Sequence, residues 1–104
     1  MARFDVYPHP DTTKRGVTPF LLDVQNDYID KLQSRVVIPL RAAAVFGPTM
    51  RDLNPLFTIS GQAVVLDTAA IAAFPTSGLR KPVSSLLTES QDIVAALDTL
   101  FGSY

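Results

Sequence analysis

All but the last of the apolar runs in this chain are short, and most of them alternate. RFDVY near the N-terminus puts Phe4 and Val6 on one face with Asp5 between them. In FLLDV, Phe20, Leu22 and Val24 share a face while Leu21 and Asp23 point the other way. A period of two is the period of a strand, so residues 3–7 and 20–24 are predicted strands. Residues 36–40, VVIPL, form a third, rich in β-branched side chains. Pro39 cannot donate to a ladder and belongs at a strand end, a bulge or an edge. Between the first two strands, PHPDTTKRGVTP is broken by Pro8, Pro10, Gly16 and Pro19 and reads as a loop.

The second half continues the pattern. Residues 41–46 are Ala-rich and stopped by Gly47 and Pro48, which suggests a brief turn or irregular strand. A helical turn over 49–53 ends at Asn54-Pro55. LFTISGQAVVL is a hairpin with arms Leu56–Ile59 and Gln62–Leu66 around Ser60-Gly61. TAAIAAFPTSG is ambiguous, because its alanines favour helix while Pro75 and Gly78 end it early. Residues 79–83 form a last strand. Thr88-Glu89-Ser90-Gln91 then reads as a capping box. Behind it Ile93, Val94, Leu97, Leu100 and Phe101 recur at helical spacing, giving an amphipathic helix of about three turns. The expectation is one domain over residues 1–104, mainly β: a small, partly open antiparallel barrel or sheet with a helix packed on it.

Composition narrows the chemistry. With 104 residues, 47% hydrophobic and only 18% charged, the chain can bury a core without disulfides or metal. A charge-poor surface also favours a covering partner, a second copy included. Net charge is −1, whereas a domain that grips nucleic acid alone is usually basic, so a protein partner is the better expectation. The absence of cysteine excludes disulfides, thiolate catalysis and Cys-ligated zinc. MARFDVYPHP lacks the apolar core of a signal peptide and no run reaches membrane-spanning length, so a cytoplasmic location is expected.

The candidate reacting groups are few. His9, the one histidine, lies between prolines and reads as an exposed loop residue with no local nucleophile. DVQNDYID carries Asp23, Asp27 and Asp30 but lacks the ligand spacing of a calcium loop. Its acids and amides suit a turn and a solvated surface. The bases, Lys14-Arg15, Arg35, Arg41, Arg51 and Arg80-Lys81, are scattered and read as solvated charges. No metal, cofactor or catalytic residue is assigned. What stands out is apolar material in odd places: Tyr28 and Ile29 inside the acidic stretch, and Tyr104 as the last residue. Such residues either fold back onto the core or serve as interface anchors.

DVQNDYID, RVVIPL, the opening RFDVY and the terminal helix ending in LF resemble the CcdB toxins of CcdA–CcdB toxin–antitoxin pairs. The resemblance runs through nearly the whole chain in order, by identity at both ends and by pattern in the middle. It implies a five-stranded antiparallel sheet in a barrel-like arrangement shared with MazF and Kid toxins, with a small extra sheet and a C-terminal helix. It implies a non-enzymatic homodimer that binds the A subunit of DNA gyrase and traps the cleaved gyrase–DNA complex. It further implies a CcdA-like antitoxin that wraps the toxin, removes it from gyrase, and supplies the DNA contacts when the pair represses its operon.

Residue by residue, the family's two gyrase-touching isoleucines fall at Tyr28 and Ile29, a polar helix residue falls at Asp98, and the family's Phe at Phe101. The family's terminal Trp-Gly-Ile aligns with Gly102, Ser103 and Tyr104, so this chain lacks the tryptophan. Leu100 and Tyr104 are expected near the dimer interface, because the family's tail packs across it. Two other readings stay open. One is a weakened relative that pairs only with an antitoxin and tunes transcription, motivated by the altered tail. The other is a MazF-like endoribonuclease, motivated by shared architecture alone.

Overall fold

In a computed structural model, which describes residues 1–102, a single antiparallel sheet takes up most of the chain. Its strands are β1 (Asp5–Pro8), β2 (Phe20–Asp23), β3 (Ser34–Ala42), β4 (Leu56–Ile59), β5 (Gln62–Leu66), β6 (Ala72–Pro75) and β7 (Ser84–Ser85). The sheet order is β4-β5-β3-β2-β1-β7, with β6 also on β3. The sheet curls until it is nearly closed into a barrel, leaving a seam between its ends. A helix, α1 (Ser90–Phe101), completes the chain. The mainly-β class expected from the sequence is what the chain adopts. The sheet has seven strands rather than five, because the nine-residue β3 serves both halves of the molecule.

β3 explains the place of its proline. One side of β3 pairs with β2, while the other pairs first with β6 (Val37↔Ala72) and then with β5 (Leu40↔Leu66). The Pro39 carbonyl accepts the Asp67 N–H at 3.0 Å, so this residue's backbone faces that second side, in the gap where one partner gives way to the other. The missing N–H therefore falls where neither strand demands it. Pro39 is thus neither at an edge nor at an end, and it costs the ladder nothing.

Both faces of the central strands are covered. Leu22, Val24, Ile38 and Leu40 join Val6, Phe57, Val64, Leu66, Ile93 and Ala96 in the main core. Leu21 and Val37, on the opposite face, pack with Tyr7, Leu79 and Phe74 in a second, smaller core. The alternation in the sequence is real, but the second set of positions is not solvent-facing. The segment that looked ambiguous, TAAIAAFPTSG, supplies β6, which extends the sheet beside the first half of β3 and sends Phe74 into this second core, where Leu79 just beyond it is buried.

Several local expectations change. The last strand is the pair Ser84–Ser85 rather than 79–83, and Leu79 is instead buried in the second core. Phe4 precedes β1 at φ 73°, a left-handed conformation that turns its ring into the main core. No side chain caps α1: Thr88 is already inside the helical turn Leu87–Glu89, so its hydroxyl does not stand at the N-cap, which is Glu89. His9 is buried. Its ring meets Phe74 edge-on at 6.0 Å, and its Nδ1 accepts the Asp11 N–H at 3.0 Å. The loop folds back over β6, and burial, then nearby Lys14, holds the imidazole below its ordinary pKa.

Tyr7 lies in the second core with its hydroxyl paired to nothing among the described residues. Burial, followed by the charges of Asp5 and Asp23, pushes its pKa up to about 12. The folded state therefore keeps a proton that the unfolded state loses near pH 10, and stability falls as pH rises from about 10 to 12. Tyr7→Phe should flatten that alkaline limb in urea unfolding while changing stability at pH 7 by less than about 1 kcal/mol. An unchanged alkaline limb would show that Tyr7 is not its source.

Candidate functional site

The chain leaves the sheet at Asp23, forms the helical turn Asp27–Ile29, and returns to the sheet at Ser34. The turn is built locally. Asn26 is its N-cap, with its Oδ1 accepting the Tyr28 N–H at 2.9 Å, as expected of an amide in a turn. The turn presents its apolar residues outward. Tyr28 is 92% exposed, and Ile29 and Leu32 are about half exposed. Residues 28–32 line a shallow apolar depression of about 300 Å³. Tyr28 and Ile29 therefore do not fold back onto the core.

The base of this loop is held by charge rather than by apolar packing. Arg35, first in from the start of β3, points its Nε at Asp23 Oδ2 at 2.7 Å and its Nη2 at Asp23 Oδ1 at 3.0 Å. Both side chains are fully buried. The same Asp23 Oδ1 accepts the Gln25 N–H at 3.0 Å. Burial pushes the Asp23 carboxyl up, and the Arg35 and Gln25 donors pull against that. Arg35 Nη2 also lies 3.4 Å from Asp27 Oδ1, which accepts the Arg3 N–H at 2.8 Å. One guanidinium thus ties the end of β2 to the start of β3 and reaches the turn itself.

Gln25 is the second tie. It is buried, and both ends of its amide are used: Nε2 donates to the Ile29 carbonyl at 2.8 Å and Oε1 accepts the Val36 N–H at 3.1 Å. The exposed turn is consequently fixed to β3 on the far side of the loop. Two sequence expectations fail here. Asp23 is no solvated turn former, and Arg35 is no free surface charge. Arg41 also has partners, in Asp67 at 3.0 Å and Thr18 at 2.6 Å. Asp30 alone of the three acids stays clear of the clamp, at the exposed end of the turn.

The helix supplies the other candidates. Ile93 and Ala96 bury one face of α1, whereas Val94 and Phe101 are exposed, Phe101 at 69%. Asp98 is exposed and its carbonyl accepts the Gly102 N–H at 2.8 Å, closing the helix. Gly102 sits at φ 82°, where a side chain would be strained. Leu100 is half-buried. Ser103 and Tyr104 lie outside the described residues. Within one chain α1 sets Ile93 and Ala96 into the main core and also meets the helical turn Thr68–Ala70. No group of acids and histidines capable of holding a metal occurs among the described residues, and no helix there is long and apolar enough to cross a membrane.

Compared with known protein families, the chain matches the model described as CcdB protein over residues 3–102, which includes the turn, its clamp and α1.

A buried ion pair that loses one member leaves an uncompensated charge. Arg35→Met should therefore lower unfolding free energy in urea by about 3–5 kcal/mol. The double change Asp23→Leu with Arg35→Met should recover most of that loss. A loss below about 1 kcal/mol for the single change would mean that the pair does not hold the loop.

Proposed function

The chain belongs to the CcdB family of toxin–antitoxin toxins, and on that premise we propose that it binds the A subunit of DNA gyrase and poisons it through the Tyr28 turn. The observation that carries this reading is the exposure of Tyr28, at 92%, on a turn that buried side chains hold at both ends. An exposed tyrosine on a floppy loop would lose much of its contact energy to ordering. One that is already fixed loses little. Aromatic residues in such settings dominate contact energies.

In this reading Tyr28 and Ile29 enter a pocket on gyrase, and Asp98, Phe101 and Gly102 form a second contact, with Ser103 and Tyr104 continuing it. Tyr28 offers a larger and more polar contact than an isoleucine would, and Gly102 and Ser103 offer little area. The contact is therefore weighted toward the turn and away from the tail. The working unit is a homodimer with Leu100 and Tyr104 near its interface, which sets two turns and two helix ends on one assembly. A CcdA-like antitoxin relieves the poisoning by covering this apolar surface, in the manner of a disordered segment that folds on binding. DNA is contacted through the antitoxin, as suits a toxin of net charge −1. Such a poison acts by holding a trapped complex, so its requirement is a rigid shape rather than a reacting group.

The test is binding of purified protein to gyrase A, read by calorimetry, together with cleaved DNA in a gyrase reaction. Tyr28→Ala should weaken binding at least about tenfold, the range of a contact anchor, and reduce cleaved DNA in step. Its unfolding midpoint should not move, because the side chain is exposed. Tight gyrase binding by Tyr28→Ala, or none by the wild-type protein, would reject the reading.

A further inference from the structure

We infer that the open edge of β4 is a docking site for an extended, basic segment of a second polypeptide, which adds to the sheet as a strand. The hairpin register fixes which backbone groups are free. Pro55 O accepts the Leu66 N–H at 3.0 Å, and in the same phase Phe57 pairs with Val64 and Ile59 with Gln62. The alternate residues, Leu56 and Thr58, must then turn their N–H and C=O groups away from β5. β4 is the last strand on that side of the sheet, and no backbone or side-chain partner takes up those groups among the described residues.

Sheet edges are usually defended by proline, inward charge or a bulge. β4 reads LFTI and has none of these. It opens instead onto a cavity of about 400 Å³ lined by Leu56, Phe57, Thr58, Ala63, Leu86 and Glu89. Leu86 and Glu89 follow β7, the strand at the other end of the sheet, so the two ends face one opening. Leu56 and Leu87, each about 60% exposed, flank it with apolar surface.

The chemistry of the lining selects the occupant. Unused N–H and C=O groups at every second residue call for extended backbone. Glu89 is the one charged residue of the lining and meets no cation within ion-pair distance among the described residues, so a lysine or arginine suits that end. A second copy of this chain fits poorly. Self-pairing of a four-residue strand offers far less than the roughly 800 Å² per partner of a stable interface, and it would bring two Glu89 carboxylates into one seam. The site shares no residue with the Tyr28 turn and stands whether or not gyrase is the target.

The probe is a short blocked peptide of alternating lysine and valine, compared with the same peptide N-methylated at alternate amides. The unmodified peptide should bind saturably and slow exchange of the Leu56 and Thr58 amides. N-methylation, or Thr58→Pro in the protein, should weaken binding at least about tenfold through lost hydrogen bonds. Thr58→Pro removes an N–H that the hairpin does not use, so circular dichroism should be unchanged. If that variant unfolds, the N-methyl comparison on the wild-type protein decides by itself. Glu89→Gln should weaken binding severalfold and flatten its salt dependence. Equal binding of both peptides, protection at the Tyr28 turn instead of β4, or a self-association of the free protein that Thr58→Pro abolishes would each overturn the proposal.

Discussion

The guanidinium of Arg35 and the carboxylate of Asp23 meet at 2.7 Å with neither side chain exposed. Burying two charges is costly, and the pair is worth keeping only if its geometry does something that apolar packing cannot. Here it crosses the neck of a loop. Asp23 ends β2, Arg35 is the second residue of β3, and between them the chain leaves the sheet and comes back. An apolar pair would fill that space without fixing a direction. The two-pronged contact fixes both strands, and the same guanidinium extends to Asp27, at the start of the exposed turn.

That neck depends in turn on a sheet covered on both sides. Phe74 of β6, which pairs beside β3, packs with the following Leu79 on the face of Leu21 and Val37, and the loop carrying His9 folds against Phe74, so the face that also holds Asp23 and Arg35 is covered. Pro39 contributes by sitting in the gap between β6 and β5, which allows one long strand to serve two partners. The opposite consequence appears at the ends of the sheet, where β4 and β7 do not pair and a seam remains. Rigid where the sheet is doubly covered and open at its edge, the molecule has two kinds of surface.

Much of this was legible in the residues. The period-two runs located β1 and β2, the β-branched VVIPL located β3, and Ser60-Gly61 located the β4–β5 hairpin with its bounds, because alternation, β-branched content and a two-residue turn are local signals. The turn carrying Tyr28 and Ile29 was visible as apolar residues set among acids and amides. Asp23 and Arg35 read as solvated charges and His9 as an exposed loop residue, because no local signal shows that the second face of the strands is covered. Their burial goes with Phe74, Leu79 and the His9 loop folding onto that face, in segments that carry no clear period. Likewise Thr88 to Gln91 matched a cap by spacing, yet the chain reaches α1 already wound in a helical turn. Long-range covering, unlike local period, leaves little trace in a single sequence.

If the clamped, exposed turn is the surface offered to gyrase A, as proposed, it is ordered before it binds. Amide hydrogen exchange across residues 26–32, measured in the free protein and again with gyrase A, tests this. The amides should already be slow in the free protein, because the turn is held before binding, and slower still when gyrase A is present. Fast exchange in the free protein would show that the clamp does not order the turn. Unchanged exchange on adding gyrase A would place the contact elsewhere and contradict the claim.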